Sequence, residues 1–153
     1  MCRKNFLLTI LRLAKERDEL RIVDDQVGVP TWSRMIAEAT VQVLAQLPLP
    51  PGEGWSEETT GIYHITAANF TSWHGFASLI VEALKRQGKI GSIRATAVVP
   101  IATEAYPLPA KRPKDSRLST ARFTKQFGLV MPRWDTGVRL CMEELLADEV
   151  HCP

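Results

Sequence analysis

The sequence predicts a partial α/β fold, about four main helices with a few short strands, in one unit over residues 1–153. Three observations predict it. Apolar residues recur at helical spacing in several segments. Short β-rich runs stand between those segments, and such alternation marks α/β architecture. The third observation concerns completeness. The visible strands are too few for a parallel sheet of their own, and the chain opens almost directly in an amphipathic helix whose stripe needs a partner. The pattern is that of part of a larger fold.

Taken in order, the first predicted helix carries Phe6, Leu7, Ile10, Leu11 and Ala14 on one face. Leu20–Val23 follows as a compact apolar strand and runs into RIVDDQVGVPT, Arg21–Thr31. Two carboxylates, an amide, a glycine and a proline there make a loop that opens a helix, and loops at strand ends carry ligands in α/β folds. The second helix presents Ile36, Ala37, Thr40, Val41 and Leu44 as its core face, with Thr31 or Ser33 as cap. The loop LPLPPGEGW, Leu47–Trp55, then leads to GIYHI, Gly61–Ile65, a predicted strand. Phe76, Ala77, Ile80, Val81 and Leu84 mark the third helix, capped by Thr71 or Ser72 and stopped by Gly88. RATAVV, Arg94–Val99, reads as a strand ended by Pro100. A second loop, TEAYPLPAKRP, Thr103–Pro113, is proline-rich and ends in bases. Trp134, Val138, Cys141, Met142 and Leu145 mark the fourth helix.

Composition narrows the function classes. The net charge of +2, from 19 basic and 17 acidic residues, is too balanced for nucleic-acid binding by charge. Cys2, Cys141 and Cys152 form no CxxC, so free thiols in a cytoplasmic setting fit better than a disulfide or zinc framework. Basic residues precede an apolar run at the N-terminus. However, Arg12 breaks that run, and Lys15–Glu19 stand where a signal peptide has small residues. No apolar run approaches the roughly 20 residues of a membrane span, so no membrane partner is expected.

Catalytic patterns are missing from the sequence. It contains no GxGxxG, no GxxxxGK[ST] and no GxSxG. His64, His74 and His151 lack metal-ligand spacing, and His64 and His74 read as structural. Asp24 and Asp25 bring no third ligand, so magnesium is unsupported. A Tyr-xxx-Lys pair, in which lysine lowers the phenol pKa for proton exchange, would need lysine at position 67 or 110. Both positions hold alanine, four residues after Tyr63 and Tyr106. Trp32, Trp73 and Trp134, at helix starts, read as packing anchors.

What remains is a binding constellation. AKRPKDSRLST, Ala110–Thr120, concentrates Lys111, Arg112, Lys114 and Arg117 around Ser116. A guanidinium fork donates two hydrogen bonds to a pyrophosphate, and Pro109 and Pro113 stiffen the loop. By composition the stretch also suits a solvated basic loop, and DDQVGVPT by itself suits a turn with a helix cap.

Four segments, in order, resemble one family. They are NFLLTILRLAKERDELRIVDDQVGVPT, GIYHITAANFTSWHGFASLIVEAL, PIATEAYPLPAKRPKDSRLST and FGLVMPRWDTGVRLCMEEL. Together, over Asn5–Leu146, they are similar to the C-terminal half of dTDP-4-dehydrorhamnose reductases, which are extended short-chain dehydrogenases. The resemblance implies NAD(P)H-dependent reduction of dTDP-4-keto-L-rhamnose to dTDP-L-rhamnose. It also implies that the Rossmann half, with its cofactor site for NADPH or NADH and its Tyr-xxx-Lys pair, lies outside the matched segments. The chain is then expected to bind the dTDP-sugar, to be inactive by itself, and to self-associate or pair with that half. A non-enzymatic regulatory or interaction module of the same family is the alternative. Carried over by position, Arg112 faces the substrate pyrophosphate with Ser116 and Arg117 beside it. Gln26, Gly28 and Thr31 line the substrate side, and Asn5 opens a helix toward phosphate. The family commonly has an acidic residue after SRL, where this chain has Ser119.

Overall fold

A computed structural model describes residues 5–46, 60–86, 93–106, 109–110 and 112–151. The elements run α1 (Phe6–Glu16), β1 (Glu19–Val23), β2 (Val27–Gly28), α2 (Ser33–Gln46), β3 (Thr71–Ser72), α3 (Trp73–Arg86) and β4 (Ala97–Ile101). A short 3-10 turn (Thr103–Ala105), α4 (Ala121–Phe127) and α5 (Trp134–His151) complete the order. The Leu47–Trp55 loop, the Gly88 stop, Lys111, Cys2 and Cys152 lie outside the described residues.

α1 forms where its periodicity predicts, and Leu7, Ile10 and Ala14 are its buried residues. β1 pairs in parallel with β4, with Leu20 opposite Val98 and Ile22 opposite Pro100. Pro100 therefore sits inside the strand and does not end it. Among the described residues β4 has a strand on one side only, and an edge strand tolerates a residue without an N–H. α3 lies across this pair and buries all five residues of its predicted stripe. Ser72 is its cap, with Oγ accepting from the Gly75 N–H at 2.9 Å. α1, α3 and the Val138–Met142–Leu146 face of α5 close the main core around Leu20.

Three further expectations change. Gly61–Ile65 is not a strand. Its backbone is satisfied differently: the Arg122 guanidinium donates to the carbonyls of Thr60 (3.1 Å) and Ile62 (3.3 Å) and lies over the Tyr63 ring. Tyr63 and Ile65 then pack on a second, smaller core made by Met35, Ala39, Ala67, Phe123 and Met131. The helix count is also low by one, because α4 precedes α5 and contributes Phe123 to that core. α4 is seven residues long, too short for a periodic signal. It buries Phe123 and stops at Gly128, which takes the left-handed conformation (φ 66°).

The third correction is the face of α2. Its buried residues are Met35 and Ala39, whereas Ile36, Val41 and Leu44 are 38%, 64% and 50% exposed. The apolar stripe read as core faces outward. α5 approaches Met35 at Gly137, where an added Cβ would clash with the methionine sulfur. Close packing on that side, not apolar count, sets the orientation of the helix.

Candidate functional site

β2 is two residues long, yet it is held from both sides. β3 pairs with it antiparallel, Val27 opposite Ser72 and Gly28 opposite Thr71. On the other side the Val27 N–H donates to the Lys114 carbonyl at 2.8 Å, and Val27 O accepts the Ser116 N–H at 3.0 Å and the Ser116 hydroxyl at 3.0 Å. The segments DDQVGVPT, TSW and RPKDSRL therefore meet in one place. Gly28 is required there: a Cβ would stand 2.8 Å from Ser116 Oγ.

The loop between β1 and β2 is fixed by its own polar groups. Asp24 accepts the Ser72 hydroxyl at 2.5 Å and lies 3.6 Å from His74 Nδ1. The other His74 ring nitrogen is 3.2 Å from the Val98 carbonyl. Asp25 accepts the Thr103 hydroxyl at 2.6 Å and the Thr103 N–H at 2.9 Å, with Lys114 Nζ at 3.4 Å. These donors, the Thr103 hydroxyl first, hold the Asp25 carboxyl below the usual carboxylate range. Gln26 is buried, and its amide donates to Thr103 Oγ1 at 3.0 Å. The two adjacent aspartates thus tie the loop to β3 and to the Thr103 turn. Among the described residues no three His, Cys, Asp or Glu side chains gather as a metal site.

Two clefts open beside this crossing. The first, about 630 Å³, is lined by Asn5, Gly28, Thr31 and Ser116 together with Trp32, Trp73 and Phe76. Asn5 spends its side-chain oxygen on the α1 cap, accepting the Leu8 N–H at 2.8 Å. Thr31 donates to the Val29 carbonyl and accepts the Ala67 N–H, both at 3.1 Å. Cys141 also reaches this cleft, and burial, followed by the Glu144 charge, pushes its thiol pKa up. The second cleft, about 760 Å³, takes Gln26 and Arg112 along with Arg17, Arg21, Lys114 and Tyr106. Phe6 and Trp73 line both clefts, their ring centroids 4.7 Å apart.

The residues singled out in the sequence are therefore divided. Asn5, Gly28, Thr31 and Ser116 share one cleft, and Gln26 and Arg112 share the other. Arg117 lines neither. Its guanidinium is held by Asp115 through bonds of 2.7–3.0 Å and lies 4.3 Å from the Phe70 ring centre. That partner lowers the Asp115 pKa to about 2. Sequence reasoning missed Thr103, Trp73's place between the clefts, and the cations Arg17 and Arg21. Arg21 was open to detection, because it alternates with the buried Leu20 along β1.

The chain is similar to known proteins over nearly its whole length. The family described as RmlD substrate binding domain matches residues 2–147. A dTDP-4-dehydrorhamnose reductase of Burkholderia thailandensis is 46% identical over 144 residues, 94% of this chain and 48% of the relative. One from Escherichia coli is 40% identical over 141 residues, 92% of this chain and 44% of the relative. A crystal structure of such a reductase from Clostridium acetobutylicum superposes with a TM-score of 0.74 at 30% identity, covering 94% of this chain and 45% of that one. Its counterpart from Bacillus anthracis, in complex with NADP, gives 0.72 at 27% identity, covering 94% and 44%. The chain thus spans about half the length of the curated relatives it matches. With the match running through both clefts and the β2 crossing between them, the chain belongs to the RmlD substrate binding domain family.

Proposed function

We propose that this chain is the sugar-nucleotide-binding portion, one domain over residues 1–153, of a cytoplasmic dTDP-4-dehydrorhamnose reductase. The observation that carries the reading is the meeting of DDQVGVPT and RPKDSRL at β2, with a cleft on each side. On this reading Arg112 reaches the substrate diphosphate. Gln26 positions the Thr103 turn beside it. Asn5, Gly28, Thr31 and Ser116 shape the first cleft for the sugar end, and Arg117 braces the loop through Asp115 and Phe70.

A nicotinamide dinucleotide does not fit the residues present. The sequence has no glycine-rich cradle for its pyrophosphate and no Tyr-xxx-Lys to hand a proton to the keto oxygen. Hydride transfer therefore requires a nucleotide-binding half, and this portion contributes binding and orientation. Among the described residues no helix is long and apolar enough to cross a membrane.

Mixing tests the proposal. With NADPH and dTDP-4-dehydro-L-rhamnose, the chain by itself is expected to give no turnover. Co-expressed with the nucleotide-binding half of the Burkholderia relative, it should restore turnover, and Arg112→Ala should raise KM more than it lowers kcat. Turnover by the isolated chain would overturn the division of labour. No turnover with a half that is active beside its own substrate portion would overturn the substrate assignment and leave an interaction module.

A further inference from the structure

We propose that Arg17 and Arg21 complete an anion clamp in the larger cleft, so that with Arg112 and Lys114 they hold the diphosphate of a nucleoside diphosphate. This deepens the sugar-nucleotide reading and rests on it for the nucleoside, but not for the anion. Neither arginine is among the residues that the family resemblance marks for the substrate.

The pairing pattern of the arginines carries the inference. Arg12, Arg34, Arg86, Arg94, Arg117 and Arg133 each hold a carboxylate. Among the described residues Arg17, Arg21 and Arg112 have none, and all three line the same cleft of about 760 Å³. Two further arginines without a carboxylate, Arg122 and Arg139, lie outside it, and Arg122 is occupied by the carbonyls of Thr60 and Ile62. Lys114 also lines the cleft, but unlike the three arginines it is paired, with Asp25. Asp25 itself does not line the cleft, and Glu104 is the acid among its described lining residues. Like charges drawn to one concavity repel unless an anion joins them.

The cleft is also built for such a ligand. Arg17 is the C-cap of α1 and Arg21 an exposed position of β1, so both stand on regular elements, whereas Arg112 and Lys114 come from the loop after the Thr103 turn. A clamp with one rigid side can hold a diphosphate through two guanidinium forks. Phe6, Ile10, Leu13 and Ile22 give the cleft an apolar floor, which strengthens charge interactions above it. Tyr106, 55% exposed, stands at the cleft with an aromatic face for a base. The volume falls within the roughly 300–1,000 Å³ that small-molecule sites occupy.

Calorimetric titration of the chain with dTDP and, separately, with inorganic pyrophosphate tests this. Arg17→Ala and Arg21→Ala are each expected to weaken both ligands about 5- to 20-fold, the loss shrinking at high salt. Arg21→Lys should recover part of it. Arg12→Ala, on the same helix but outside the cleft, should leave binding unchanged, and matching melting curves for all variants would show that folding is intact. If dTDP binds and depends on Arg112 but not on Arg17 or Arg21, the clamp is overturned and the sugar-nucleotide reading stands. If pyrophosphate binding depends on all three while dTDP binds no more tightly than pyrophosphate, the clamp stands and the nucleoside reading fails. If neither ligand binds, the clamp is overturned.

Discussion

Asp115 and Arg117 show how a residue that looks like a ligand can be spent on structure. The carboxylate accepts the Arg117 backbone N–H at 3.0 Å as well as its guanidinium, so the turn carries its own counter-ion. The loop that presents Arg112 is thereby fixed without drawing on Arg112 itself. The Asp115 pKa of about 2 lies below the roughly 3.9 of an unfolded aspartate, so its contribution to stability has a defined pH window. That contribution is fully present above about pH 4 and is lost as the pH falls toward 2. Carboxyl-detected NMR titration should find the Asp115 midpoint near 2, and Arg117→Ala should move it up toward the ordinary value. A midpoint near 4 in the unaltered chain would show that the pair does not persist in solution.

At the scale of the element, α2 is the instructive case. Its periodicity is helical and its boundaries are ordinary, so its existence was legible in the sequence. Which of its two apolar sides packs inward was not. Ile36, Val41 and Leu44 outnumber the inward set by bulk, but the outcome depends on how closely α5 approaches at Gly137. Met35→Ala should therefore cost about 2–5 kcal/mol by urea denaturation, the range for a buried methionine. Val41→Glu and Leu44→Glu should change stability by less than about 0.5 kcal/mol, as exposed substitutions do. A large loss on Val41→Glu with a small loss on Met35→Ala would reverse the assignment. β4 makes a related point. Pro100 reads as a strand breaker, yet an edge position opposite Ile22 admits it.

At the scale of the whole molecule, the two cores share one residue among those described. Trp134 packs against the main cluster of α1, α3 and α5 and against the smaller cluster around Phe123. Its ring meets Phe76 edge-on at 6.3 Å, and its backbone N–H donates to the Ala68 carbonyl at 3.0 Å. Trp134→Ala should cost about 3 kcal/mol, and it should also uncouple the clusters, which would broaden the denaturation curve and lower its m-value. A loss of stability with an unchanged m-value would mean that the clusters unfold together without it.

The sequence by itself determined the α/β class, four of the helices and the β1 strand, because periodicity and caps act within a few residues along the chain. Through its ordered motifs it also determined the family, and it marked Arg112, Ser116, Gln26, Gly28 and Thr31 as residues to watch. Tertiary structure decided the rest. It placed β2 between Ser72 and Asp115, divided those residues between two clefts, and withdrew Arg117 from both. It also brought Arg17 and Arg21 into one cleft with Arg112, across more than 90 positions of sequence. The physical reason is the same in each case. A helix is specified by neighbours in the chain, whereas a cleft is specified by which distant backbones can approach. Here that approach is permitted by a missing Cβ at Gly28, and the loop beneath it is fixed by the Gln26–Thr103–Asp25 hydrogen bonds.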